Sequence, residues 1–299
     1  MNEEQQAMIT QIRENSIDTD SGLKPSSSFS VQRQEVFIPT SVGETRVLIY
    51  TPQPDPGAPL PVFINMHGGG FIAGNAEGDD PWCPLIAHEA RCVVINIDYR
   101  LAPEHKFPTA VHECYDVAVW VHEHPEDFGI HSAKLAIGGH SAGGNLTAAV
   151  CLLNKQRGNQ LPFVLQILDY PPLDLHTDPA LKPSFPEAIP AEVARMFNAM
   201  YLDNAVDAQN PLASPVLAES LEGLPEALII TASEDSLAAE ARDYADKLEQ
   251  HGVKVHFKQY EDVPHGFTHH GDIAIAEDAW YLMCDKLKDA FSNVDPNRP

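Results

Sequence analysis

The chain has 299 residues, 43% of them apolar, and a formal charge of −24. No apolar run approaches the roughly 18 residues that span a bilayer, and the polar, acidic first residues do not resemble a signal peptide, so we expect a cytoplasmic protein. Because an acidic chain repels phosphate backbones and anionic lipids, we expect no nucleic-acid partner and no stable membrane association.

Short β-type runs recur along the chain, and several are continuously apolar rather than alternating. That pattern is typical of strands in a parallel sheet covered on both faces. The runs begin at Glu35, Thr45, Pro61, Cys92, Lys134, Phe163, Glu226 and Val253, and helical segments begin at Ala110, Ala142, Ala238 and Glu277. This alternation predicts one domain over residues 1–299 with an α/β fold, a mostly parallel central sheet flanked by helices.

A long insertion interrupts the alternation between Tyr170 and Glu226. It begins rich in proline and continues with a segment whose apolar residues recur at helical spacing. These residues are Val193, Met196, Phe197, Met200 and Tyr201. The helix either packs on the core or belongs to a cap over a pocket, and both can hold. We predict a small cap from residues 1–34 and about 176–212.

Cysteine usage and motif content indicate no bound cofactor. The five cysteines are widely spaced without a CxxC pair, so neither a zinc site nor a disulfide framework is predicted. Cys92, Cys114 and Cys151 lie among apolar residues and are expected to fill the core. No metal-ligand cluster or dinucleotide motif is evident, and we predict no metal and no cofactor.

The stretch GHSAG at Gly139 fits the pattern G-x-S-x-G. Ser141 follows a predicted strand and opens a predicted helix, which is the context that a nucleophilic serine requires. The turn needs strained backbone angles, which flanking glycines permit, and it directs the helix N-terminus at the reacting centre. We predict that Ser141 is a nucleophile; the alternative is a passive serine in a glycine-rich turn.

A serine hydroxyl is a weak nucleophile, so it needs a base, an orienting acid and an oxyanion site. The stretch HGGGF at His67 follows a predicted strand. Its run of glycines lets backbone N–H groups face a negatively charged oxygen. The N–H of Ala142, the residue after the nucleophile, is expected to complete this oxyanion site.

Three stretches together resemble the motifs of the hormone-sensitive-lipase-like carboxylesterases of the α/β-hydrolase superfamily. They are HGGGF at His67, DYRLAPEHKFP at Asp98 and GHSAGGN at Gly139. The resemblance extends from about Glu35 to about Phe291. It implies an α/β-hydrolase fold with a helical cap formed by the N-terminus and an insertion after the sixth strand. It also implies oxyanion donors at Gly69, Gly70 and Ala142, with His67 and residues 98–104 as supporting structure.

The acid and the base are expected after the nucleophile in the chain. Glu234 and Asp235 are adjacent, and the pattern alone does not choose between them; the family's D-x-L-x-x-[DE] motif fits Asp235. His265 follows the last predicted strand and matches the family's H-G-F/L ending, with His269 and His270 as alternatives.

The sequence therefore predicts a carboxylesterase that cleaves small, short-to-medium-chain acyl esters through Ser141, His265 and Asp235, with a covalent acyl-enzyme. The alternatives are an amidase, a lactonase, a lipase, or a non-catalytic ligand-binding protein on the same fold. Aromatic residues that could form the pocket wall, or only pack in the core, are Phe71, Tyr170, Phe197 and Tyr201. The sequence leaves open whether the strand at Val253 pairs subunits into a homo-oligomer.

Overall fold

The computed structural model describes residues 9–13, 23–54 and 57–294. The strands are β1 (Val31–Thr40), β2 (Gly43–Pro52), β3 (Leu60–Met66), β4 (Val93–Ile97), β5 (Ile130–His140), β6 (Phe163–Asp169), β7 (Glu226–Glu234) and β8 (Val255–Pro264). After residue 23, the α-helices of the described ranges are α1 (Cys83–Glu89), α2 (Thr109–Glu123), α3 (Pro125–Phe128), α4 (Ala142–Gln156), α5 (Ala191–Tyr201), α6 (Ala238–Gln250), α7 (Phe267–His270) and α8 (Ile273–Ser292).

The strands form one sheet in the order β1-β2-β4-β3-β5-β6-β7-β8. β2 is antiparallel to both of its neighbours, and every pair from β4 to β8 is parallel. The predicted α/β-hydrolase fold with a mostly parallel sheet is thus confirmed. Because connected parallel strands run in one direction, the carboxyl ends of β3, β5, β7 and β8 lie along one edge, where ligand sites of such sheets form.

The central strands β3, β4 and β6 are buried on both faces, which explains their continuous apolar runs. On β3, Val62 and Ile64 point into one core cluster, which includes α2 and α4. Phe63 points into the other cluster, where Trp82 beside α1 stacks on Trp280 of α8. Each central strand therefore contributes apolar side chains to two cores.

The helices differ from expectation at the start of α8 and at α1. Helix α8 begins at Ile273, ahead of the predicted start at Glu277, because Asp272 caps it by accepting the N–H groups of Ala274 and Ile275. Helix α1 was not expected. It has seven residues, too few turns for a clear apolar period.

The insertion between β6 and β7 contains α5, whose Met200 and Tyr201 are buried. Tyr201 stacks on Phe71 with ring centroids 3.8 Å apart. From the N-terminal part of the predicted cap, residues 9–13 are helical, and Arg13 donates to the carbonyl oxygens of Ile72 at 2.8 Å and Ala102 at 2.9 Å. Residues 1–8 and 14–22 lie outside the described part of the chain.

The described helices include none of the length and apolarity needed to cross a membrane. All five cysteines are buried with free thiols. Cys92, Cys114 and Cys151 lie in the two apolar clusters, as expected of core fillers.

Candidate active site

Ser141 stands on the sharp turn between β5 and α4, with φ +50° and ψ −119°. Its N–H donates to the carbonyl oxygen of Asp169 on the neighbouring strand at 2.8 Å. A Cβ atom on Gly139 would lie 2.4 Å from the carbonyl oxygen of Met66, and one on Gly143 would lie 1.9 Å from it. The two glycines of the pattern are therefore required because the end of β3 passes directly against the turn.

The structure brings Ser141, His265 and Asp235 together although they follow three different strands. Ser141 Oγ lies 2.9 Å from His265 Nε2, and His265 Nδ1 lies 2.7 Å from Asp235 Oδ2. Asp235 is 2% exposed, and its other oxygen accepts the N–H of Leu237 at 3.0 Å. In this arrangement Nε2 can take the hydroxyl proton while the carboxylate holds the proton on Nδ1.

The competing acid and bases occupy other places. Asp235, not its neighbour Glu234, contacts the imidazole of His265. His269 has Nε2 at 3.1 Å from Asp79 Oδ1 and Nδ1 at 2.8 Å from the hydroxyl of Tyr170, so both ring nitrogens face other groups. His270 is exposed at the mouth of the cavity.

The loop after β3 presents Gly69 and Gly70 in left-handed conformations, with φ +115° and +59°. His67 Nδ1 lies 2.7 Å from the carbonyl oxygen of Gly68, and the carbonyl of Gly69 accepts the N–H groups of Ile72 and Ala73. In a trans peptide the N–H points opposite to the carbonyl. These contacts therefore direct the N–H groups of Gly69 and Gly70 away from the loop interior.

Ala142 is the first residue of α4, where the N–H has no intrahelical acceptor. In the described ranges, neither this N–H nor those of Gly69 and Gly70 donate to a protein acceptor. Three N–H groups beside Ser141 are thus available to stabilise negative charge on an oxygen.

A cavity of about 790 Å³ opens onto Ser141 and His265. Its size lies within the range of pockets that bind small organic molecules. The residues that line it outside the sheet edge come from residues 9–13 and from the insertion: Ile12, Leu175, Ile189, Ala194 and Phe197 among others. Of the four aromatic residues considered from sequence, Phe71, Tyr170 and Phe197 line it. Tyr201 does not; its ring is fully buried behind Phe71.

The DYRLAPE stretch is supporting structure. Asp98 accepts the N–H of Ala76 at 3.1 Å and pairs with Arg46 at 3.1 Å, and Arg100 is paired with the buried Glu113. Buried charges need such partners, because an unpaired charge in a core is costly.

Sequence reasoning missed a buried polar cluster behind the serine, formed by Asp79, His140 and His269. Its ligand-capable atoms lie within 4.8 Å of one another, which makes it a group in the described ranges that could hold a metal ion. The imidazoles of His140 and His269 lower the pKa of Asp79 to about 2, although burial opposes this shift. No local pattern announces the cluster, since its members come from three distant segments.

The chain is similar to known esterases in sequence and structure. A profile of the α/β-hydrolase fold family matches residues 63–269. A carboxylic ester hydrolase of Mycobacterium tuberculosis, LipN, is 39% identical over 251 residues, which cover 81% of this chain but only 66% of that protein. An arylesterase of Saccharolobus solfataricus is 34% identical over 231 residues, which cover 77% of this chain and 75% of the arylesterase. The hyperthermophilic esterase of Pyrobaculum calidifontis superposes with a TM-score of 0.85 at 33% identity, covering 95% of this chain and 93% of that one.

These relatives all carry esterase names, so the similarity supports carboxylic ester hydrolysis and small-molecule ester substrates, and it argues against a non-catalytic binding protein. The family profile extends over more than half of the residues and includes both the loop at His67 and the turn at Ser141. The chain therefore belongs to the α/β-hydrolase fold family.

Proposed function

We propose that this protein is a carboxylesterase of the hormone-sensitive-lipase-like group that hydrolyses small, short-to-medium-chain acyl esters. The observation that carries the proposal is the unbroken contact series from Ser141 Oγ through His265 to Asp235, at 2.9 and 2.7 Å, on the floor of a cavity. The motifs at His67, Asp98 and Gly139 support the group assignment.

The proposed reaction begins when His265 Nε2 takes the proton of Ser141 and Oγ attacks the ester carbonyl carbon. The tetrahedral oxyanion is held by the N–H groups of Gly69, Gly70 and Ala142. The imidazolium gives its proton to the departing alkoxide as the bond to the acyl carbon breaks. His265 then takes a proton from water, which attacks the acyl-enzyme, and Ser141 regains its proton as the carboxylic acid leaves. Asp235 holds the imidazole and stabilises its charged form.

The proposed cap consists of part of the N-terminal segment, including residues 9–13, and the insertion at about 176–212 that carries α5; residues 31–34 of the predicted cap belong instead to β1, where they pair with β2. Its support is the cavity wall, since Ile12 and Phe197 line the space above Ser141. The ring of Phe197 approaches Gly70 so closely that a Cβ there would lie 2.7 Å from it. The mainly apolar wall favours an acyl chain over a charged substituent. We also propose that the protein acts in the cytoplasm, away from nucleic acid and membranes, as its charge of −24 suggests.

A serine replacement with a matched control tests the nucleophile. Ser141→Ala is expected to abolish hydrolysis of a short-chain nitrophenyl ester without a large change in the thermal unfolding midpoint. Ser184→Ala, which alters an exposed serine of the same cavity, is expected to retain activity. Full activity of Ser141→Ala would refute the proposal.

The substrate class is tested by a series of nitrophenyl esters from acetate to palmitate, with one amide and one lactone. The rate is expected to peak at a short or medium chain and to be lowest for the amide. A maximum at palmitate would favour a lipase, and equal rates on the amide would favour an amidase.

A further inference from the structure

His140 directly precedes the serine, but its side chain points away from the hydroxyl and toward the loop after β3. Its Nε2 accepts the N–H of Gly68 at 2.9 Å. The contact is close enough that a Cβ on Gly68 would lie 2.6 Å from the imidazole ring. The residue before the nucleophile is thus joined by a hydrogen bond to the residue before the oxyanion donors.

This bond fixes the protonation of His140. Because Nε2 accepts a backbone N–H, the ring proton of the neutral form must be on Nδ1. Nδ1 lies 3.6 Å from the carboxylate of Asp79, too far for a hydrogen bond but close enough for the negative charge to favour a proton there. Burial lowers the pKa of His140 well below the ordinary range of histidine, which keeps the lone pair of Nε2 available.

The surroundings hold the ring in place. His269 stacks on it with ring centroids 3.8 Å apart, and His269 Nε2 contacts the same oxygen of Asp79 at 3.1 Å. The other oxygen of Asp79 accepts a hydrogen bond from the side-chain amide of Asn65 at 2.7 Å. Beyond His269, the hydroxyl of Tyr170 contacts Nδ1 at 2.8 Å. The cluster thus joins the ends of several strands beneath the serine.

The same contacts argue against a metal ion in this cluster. An ion bound at His140 Nδ1 would need the lone pair of that atom, and the proton would move to Nε2. Nε2 would then face the N–H of Gly68 with a proton of its own. The near-parallel ring planes of His140 and His269, 28° apart, also prevent both lone pairs from converging easily on one point.

We propose that His140, oriented by Asp79 and His269, is a positioning residue that fixes the oxyanion loop, residues 68–73 after β3, by accepting the N–H of Gly68. This inference rests on the proposed function, because it assigns His140 a role in placing the N–H groups of Gly69 and Gly70. The hydrogen bond from the Gly68 N–H to His140 Nε2 anchors the start of the loop. The contacts of the Gly69 carbonyl with the N–H groups of Ile72 and Ala73 anchor its end. Loss of the near anchor lets the two donors shift relative to Ser141.

The test compares His140→Leu, which removes the acceptor, with His140→Gln, whose amide oxygen can reach the position of Nε2. For His140→Leu we expect kcat on a short-chain nitrophenyl ester to fall at least about 10-fold, part of the 10²- to 10³-fold cost of a lost oxyanion donor, with KM within about twofold. His140→Gln is expected to recover most of kcat. His176→Leu, a histidine exposed outside the cavity, serves as the matched control.

A pair of inhibitors separates positioning from general damage. A trifluoromethyl ketone forms an oxyanion with the serine, whereas the matching methyl ketone binds without significant charge. For His140→Leu, affinity for the first is expected to fall by the same factor as kcat/KM, and affinity for the second to stay within about twofold. Equal loss for both ketones, or wild-type kcat, would overturn the inference.

A shorter variant and a zinc-binding measurement provide two further tests. If His140→Leu does not fold, His140→Asn replaces it, because its shorter side chain cannot reach Gly68; equal kcat for the Asn and Gln variants would overturn the inference. Stoichiometric zinc bound by the wild type and lost in the variants would overturn it too. Failure of the proposed function itself shows separately, as activity in Ser141→Ala.

Discussion

Gly143→Ala tests how closely the nucleophile turn is packed against the end of β3. The new methyl group would lie 1.9 Å from the carbonyl oxygen of Met66 and 2.7 Å from that of His67, where ordinary contact begins near 3.4 Å. The two segments must therefore separate by about 1.5 Å, and since both are backbone in a buried core, we expect a cost near the upper end of overpacking, about 3 kcal/mol.

That cost corresponds to a fall in the unfolding midpoint of roughly 5 °C for a chain of this size. Activity should fall further, because the oxyanion loop follows Met66 directly and a displacement of about 1 Å can cost roughly 100-fold in rate. Thermal unfolding by circular dichroism and kcat on a nitrophenyl ester measure the two effects. Gly78→Ala is the control, since its Cβ meets nothing within 4 Å. A Gly143→Ala protein with the midpoint and kcat of the wild type would refute the packing argument.

Three other substitutions give separate expectations. Asp235→Asn should lower kcat by about 10⁴-fold, because an amide cannot hold the required tautomer of His265; a loss under tenfold would contradict the role of the carboxylate. Phe197→Ala should shift the preferred ester toward longer acyl chains by opening the cavity wall, whereas Val193→Ala, on the same helix but outside the cavity, should not; an unchanged optimum would remove Phe197 from the acyl site. Below pH 6.5 the wild type is expected to lose stability faster than His140→Gln. Burial depresses the pKa of His140, so as pH falls the unfolded chain binds a proton that the folded chain does not. The folded state then loses up to about 1.4 kcal/mol per pH unit. Unfolding midpoints at pH 7.5 and 5.5 measure this difference, and parallel curves for both proteins would contradict it.

The sheet was predictable because its signals are local. Several of the apolar runs that became strands, such as those of β3, β4 and β6, are continuous, so the existence of these strands required no knowledge of partners. The junction of β5, Ser141 and α4 was predictable for the same reason. Helix α1 was missed because seven residues give little periodicity, and the start of α8 was displaced because its cap, Asp272, precedes the apolar pattern.

The choice between neighbouring candidates for the acid and the base depended on contacts between distant segments. Glu234 and Asp235 carry the same chemistry one residue apart, and only the direction of the chain after β7 turns the second toward His265. Likewise, His265 and His269 lie four residues apart in the chain, yet one contacts Ser141 and the other faces Asp79. A motif suggested Asp235 and His265, but the side-chain directions that separate each from its neighbour depend on packing.

The sequence by itself determined the alternation of strands with the longer helices, the turn that strains Ser141 and the glycines of the oxyanion loop, because these follow from local propensity and steric freedom. Only the tertiary structure decided that Tyr201 lies behind the cavity wall rather than on it, that Met66 is what forbids a side chain at Gly139 and Gly143, and that His140 is bonded to Gly68. Those facts depend on segments distant in the chain meeting at one edge of the sheet, and no local pattern encodes which atoms then come into contact.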